Sequence, residues 1–139
     1  MKLTFERATM RTEARGDLLV FVFSGELTRG TIEAALMQWQ CLTTHYPEAG
    51  YISLIDRAVW VDSVDLSGMA PSAGPLVGGR PGAVVVRPEN LQWFRRYTWN
   101  YAEAGIVRGA FTDECAAFSW VQAKAKALAP LSVSRQSTP

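Results

Sequence analysis

The sequence has little net charge. Lys and Arg number 14, Asp and Glu 13, and the formal net charge is +1 over 139 residues. No block of Lys or Arg occurs anywhere, so the chain lacks the field that would draw a nucleic acid or an anionic bilayer. Histidine is nearly absent: His45 is the only one, and it falls away from the apolar stripe of its predicted helix, with no nucleophile or orienting acid spaced around it for a catalytic dyad. Cys41 and Cys115 are the only cysteines, in separate predicted helices and without a Cys-x-x-Cys pair, which excludes a disulfide framework and leaves no recognisable metal site. No cofactor is implied. The longest apolar run, Leu18 to Phe23, is far too short to span a bilayer. The amino-terminal stretch MKLTFERATMRTEARGD lacks the apolar core of a secretory signal, so the expected location is the cytoplasm.

What is present is an ordinary globular composition, 48% hydrophobic and 19% charged, enough for one domain with one core. Leu3 to Met10 reads as a strand, Arg11 to Asp17 as a polar link ending in the turn pair Gly16-Asp17, and Leu18 to Ser24 (LLVFVFS) as a strand covered on both faces. Thr28 to Tyr46 forms a helix with Thr28 as its N-cap and an apolar stripe through Ile32, Ala35, Leu36, Trp39 and Leu42. Tyr51 to Ile55 is the next strand. Arg57 to Pro81 is a long Gly- and Pro-rich loop with room for a short helix at Val64 to Ala70, and loops of that length are mobile or functional. Gly82 to Arg87 is a strand, Pro88 opens a helix running to Ala104, Ile106 to Phe111 is a strand, and Thr112 and Asp113 cap a final helix that Pro130 ends. The expectation is an α/β protein: one mixed, mostly parallel sheet of about five strands, the first antiparallel, with three main helices packed on it. Residues 1–129 form the single domain, and the tail 130–139 is expected to be disordered.

Order and residues together resemble the SpoIIAA-like domains of the STAS superfamily, bacterial domains related to Sec14. The resemblance rests on Phe23-Ser-Gly-Glu-Leu-Thr28, on Ile52-Ser-Leu-Ile-Asp56, and on Gly109-Ala-Phe-Thr-Asp-Glu-Cys-Ala-Ala-Phe-Ser-Trp-Val121. It implies a SpoIIAA-like fold and a regulatory, protein-binding role without catalysis. In members that antagonise anti-sigma factors, a Ser in an Asp-Ser-(Ser/Thr)-Gly setting is phosphorylated. Here that setting is split between Asp62-Ser63 and Ser67-Gly68, so Ser63 and Ser67 are the residues that would inherit the role, against the plainer reading of both as loop or capping serines.

The candidate binding residues come from the aromatic helix. At 100° per residue, Leu91, Phe94, Thr98, Tyr101 and Ala102 share one face, and Trp93 and Tyr97 widen it. Trp99 falls on the opposite arc among Gln92, Arg95, Arg96 and Glu103, where only a partner, a ligand or a covering loop accounts for an indole. Trp60, folding over Trp99 from the long loop, is the alternative within the chain. Trp99, Arg95, Arg96, Trp93, Tyr97 and Trp60 therefore form the expected interface, with a partner protein or a second copy in a homodimer as occupant. Arg57, Arg80 and Arg87 are a candidate anion-binding set should they converge at one sheet edge. A small apolar ligand or lipid in a cleft lined by Trp60, Met69, Leu76 and Trp93 is the alternative function. An enzyme using Asp56 and Asp62 is a third, although an Asp at such a place more often caps a turn.

Overall fold

The computed structural model describes residues 2–4, 8–28, 30–31, 34–35, 37–38, 41, 45, 50–60, 80–96 and 107–136. Seven strands form one sheet: β1 (Lys2–Thr4), β2 (Ala8–Arg15), β3 (Leu18–Leu27), β4 (Gly50–Leu54), β5 (Ala58–Trp60), β6 (Gly82–Val85) and β7 (Arg108–Phe111). The order across the sheet is β1-β2-β3-β4-β6-β7, with β5 also paired to β3. The two pairings that join β1, β2 and β3 are antiparallel, and the remaining four are parallel. Helical backbone occupies the described positions from 30 to 45 (α1), the short stretch 91–96 (α2) and Glu114–Gln136 (α3). A mixed, mostly parallel α/β sheet is thus what the chain builds, with two more strands than the sequence suggests.

Both extra strands come from pairing with neighbours that lie beside segments read as link or loop. The polar link expected at Arg11 to Asp17 is instead the second half of β2, which pairs with β3 from Ala8↔Gly25 to Arg15↔Leu18. Met10 and Thr12 are buried while Arg11 is exposed, so the polar residues occupy alternate positions on the wet face. The chain reverses at Gly16-Asp17 with φ +61° at Gly16, the first central position of a type II′ turn, whose twist suits a hairpin. The expected first strand is divided, and β1 folds back antiparallel on β2. The second addition lies within the stretch read as a loop. Between Val22↔Leu54 and Gly25↔Ala58, β3 advances by three residues and its partner by four. The chain makes a turn at Asp56-Arg57, closed by Ala58 N–H donating to the Ile55 carbonyl at 3.1 Å, after which β5 takes up the pairing with β3.

The apolar strands are covered on both faces. One face carries Leu18, Val20, Val22, Ile52, Leu54, Ala83 and Val85, packed with Ala117 and Val121 of α3. On the other, Leu19, Phe21, Phe23, Tyr51, Val84 and Val86 are buried, as are Ala35 of α1 and Phe94 of α2. Helix α3 continues to Gln136, beyond Pro130, where the sequence reading stops it. A proline removes one intrahelical hydrogen bond, and the Ala- and Lys-rich segment before it favours helix.

Two caps stand where the sequence puts them. Thr31 N–H donates to Thr28 Oγ1 at 3.2 Å, opening α1, and Ala116 N–H donates to Asp113 Oδ2 at 2.9 Å, opening α3. At the start of β4 and β6, a Cβ on Gly82 would lie 2.2 Å from the Tyr51 ring, so the tyrosine lies directly on glycine backbone. The hydroxyl of Tyr51 accepts from Arg108 Nη1 at 3.2 Å in the same row of the sheet.

Candidate functional site

Helix α2 begins where β6 ends. Arg87 is extended (φ −67°, ψ 148°), the conformation a following proline imposes, and Pro88–Asn90 form a 3-10 turn before the α-helical stretch 91–96. Phe94 is buried and Leu91 half-buried, so the expected inward face is real over these residues. Gln92, Arg95 and Arg96 are exposed.

Trp93 departs from part of the sequence reading. Its angular position widens the inward face, yet the side chain is 42% exposed. It lies about 100° around the helix from Phe94, beyond the contact arc. Its ring meets Phe94 edge-on, with centroids 4.7 Å apart and planes at 78°. A partly bared indole therefore stands on the helix with exposed Arg96 one turn after it, while Arg95 falls on the other side. Tyr97 and Trp99, the residue on which the sequence argument leaned most, lie outside the described residues, as do Ser63, Ser67, Asp62, Met69 and Leu76. Trp60 is the last residue of β5, its backbone paired with Leu27.

The three candidate anion-binding arginines do not share an edge. Arg80 precedes β6 and Arg87 follows it, which puts them at opposite ends of the sheet, about 20 Å apart for an extended run of seven residues. Arg57 and Arg87 do come to the same end. There Arg87 Nε donates to the backbone carbonyl of Asp56 at 2.7 Å, tying the root of α2 to the turn between β4 and β5. This clamp leaves no sequence signature, because it depends on β4 and β6 lying side by side. One carboxylate oxygen of Asp56, Oδ1, is buried without a hydrogen-bond partner. His45, Cys41 and Cys115 are exposed. Among the described residues no three His, Cys, Asp or Glu side chains are grouped to hold a metal ion, and no helix is long and apolar enough to cross a membrane.

Comparison with solved structures places this arrangement. An anti-sigma factor antagonist from Mycobacterium paratuberculosis superposes with a TM-score of 0.61 at 17% identity, over 83% of this chain and 94% of that one. The chain has the SpoIIAA-like fold. An uncharacterised Shewanella loihica protein with a SpoIIAA-like fold matches with a TM-score of 0.56 at 19% identity, over 87% of this chain and 98% of that one. No protein-family model matches the sequence, and no curated protein matches it significantly. In this SpoIIAA-like frame the three segments that carried the resemblance fall at strand-to-helix junctions and at the strand end beside the Asp56-Arg57 turn. Phe23 to Thr28 leads from β3 to the cap of α1, Ile52 to Asp56 spans the end of β4, and Gly109 to Val121 runs from β7 into α3.

Proposed function

We propose that this protein is a non-catalytic regulatory module that works by binding another protein through the outer side of α2. The observation that carries the reading is Trp93, 42% exposed, with exposed Arg96 one helical turn after it. Trp and Arg are the residue types most enriched at the energetic centres of protein interfaces. The helix presents them from a firm base, because Phe94 on the next position is buried against the sheet side. The likeness to an anti-sigma factor antagonist supports a regulatory setting at the level of the fold.

A photo-crosslinking residue at position 93, introduced in the producing cells, tests this. The expected result is one discrete adduct, a partner chain or a second copy, that is absent when the same residue replaces exposed Gln122 on α3. Identical adduct patterns from the two positions, or none from either, would overturn the proposal.

A further inference from the structure

We propose that the outer face of α1 binds a soft metal ion through Cys41 and His45, with Met37 as third ligand, and that copper(I) is the ion these donors fit. The site stands apart from the α2 surface and does not depend on it. Met37, Cys41 and His45 follow one another at intervals of four residues, all in helical backbone and all exposed. His45 is the only histidine of the chain, and Cys41 is one of its two cysteines.

Four residues make slightly more than one helical turn, so the three side chains rise one above another within an arc of about 80°. The inward side of α1 is elsewhere: Thr31 and Ala35 are buried, and Ala35 lies about 160° around the helix from Met37. Met37 is 70% exposed, more than Val59 or Trp93, so packing on the sheet does not account for it. A thiol, an imidazole and a thioether therefore share one wet stripe. The pairing is hidden along the sequence, because it forms only once residues 37–45 are helical.

The helix sets the spacing. Side chains four residues apart have Cβ atoms about 6 Å apart. Bonds of about 2.3 Å to sulfur and about 2.0 Å to nitrogen let a Cys and a His on neighbouring turns close on one ion. Histidine pairs at this spacing hold zinc on other helices. Helix side chains lean toward the N-terminus, which carries the His45 imidazole back toward Cys41. Met37 approaches Cys41 from the preceding turn, and its flexible, unbranched side chain allows the thioether to reach forward.

The donors choose the ion. Among the described residues no third His, Cys, Asp or Glu joins Cys41 and His45, so the nearest further donor is the Met37 thioether. Zinc takes thiolate, imidazole and carboxylate ligands, whereas thioether sulfur beside thiolate selects copper(I). On binding, the Cys41 thiol gives its proton to solvent and His45 coordinates as neutral imidazole. The copper stays monovalent, and no electron is transferred.

The test uses the reduced full chain under anaerobic conditions, with copper(I) supplied as its acetonitrile complex and bicinchoninate as the coloured competitor. The chain is expected to withhold a single equivalent of copper from the chelator. Cys41→Ser is expected to weaken binding at least about 100-fold, His45→Ala about 10-fold and Met37→Leu about 3-fold, with Cys115→Ser unchanged. Copper K-edge absorption is expected to show sulfur and nitrogen neighbours together. All four positions are exposed, so urea unfolding of each metal-free variant is expected to match the parent chain, which separates ligand loss from unfolding.

Equal weakening in Cys41→Ser and Cys115→Ser would mean unselective thiol binding and would overturn the site. A shell of sulfur alone, with His45→Ala unchanged, would overturn the Cys41–His45 pair. Unchanged binding in Met37→Leu would overturn the third ligand. Copper left wholly to bicinchoninate would overturn the proposal outright.

Discussion

Replacing Trp93 by Gln is expected to weaken partner binding while leaving the fold in place. The exposed fraction of the side chain is 42%. For an indole of about 250 Å² that is about 100 Å² available for a partner to cover, and at about 25 cal/mol/Å² its burial contributes at most about 2.5 kcal/mol. Part of that is offset by ordering at the interface, so a loss of about 10- to 50-fold in affinity is expected. Glutamine keeps the helix propensity of the site and a short apolar stem. What the fold loses is the edge-on contact with Phe94, 4.7 Å between ring centroids. An aromatic pair of this kind is worth about 1 kcal/mol, and the stability cost is expected to be of that size. Isothermal titration against the chain captured at position 93 reads the first quantity, and urea unfolding the second. Unchanged affinity would refute the reasoning. So would a stability loss above about 3 kcal/mol, the range of a buried aromatic removed from a core, because Trp93 would then belong to the fold rather than to a partner.

Three further outcomes follow from the packing. Gly82→Ala pushes a methyl group into the Tyr51 ring, which a Cβ would approach to 2.2 Å, and overpacking of this kind is expected to cost about 1–3 kcal/mol in urea unfolding. Asp113→Ala removes the acceptor for Ala116 N–H and is expected to lower stability by about 1 kcal/mol, with Asp113→Asn nearly neutral. Arg87→Met deletes the charge-assisted bond to the Asp56 carbonyl, and a loss of about 1.5–3 kcal/mol is expected, with faster amide exchange at Ala58 and Val59 marking the turn before β5 as the place affected.

Where residue pattern and tertiary structure agree, the elements were legible in advance. The runs in β3, β4 and β6 are buried without interruption through Leu18–Phe23, Gly50–Leu54 and Gly82–Val85, as strands covered on both faces must be. Thr28, Asp113 and Pro88 mark helix starts by local chemistry alone, and all three hold. Features set by distant pairing were not legible. Arg11, Glu13 and Arg15 look like a polar linker until β3 lies beside them, when they become the wet half of an alternating strand. The strand β5 after the Asp56-Arg57 turn exists only in its pairing with β3, and the Arg87 clamp depends on β4 and β6 lying side by side. The arginine set was misjudged for a related reason: spacing along the chain does not show that Arg80 and Arg87 flank opposite ends of one strand. The exposed indole that the periodicity expects is Trp99, which lies outside the described residues, whereas Trp93, assigned by the same periodicity to the widened inward face, is 42% exposed.

The central claim is that the Trp93 ring is bare in the unbound chain and covered in the complex. Broadening of its assigned indole N–H resonance by a soluble paramagnetic gadolinium chelate, before and after partner binding, measures both states. The account predicts strong broadening in the unbound chain and marked protection in the complex. A resonance already protected in the unbound chain, or broadened equally in both, would contradict it.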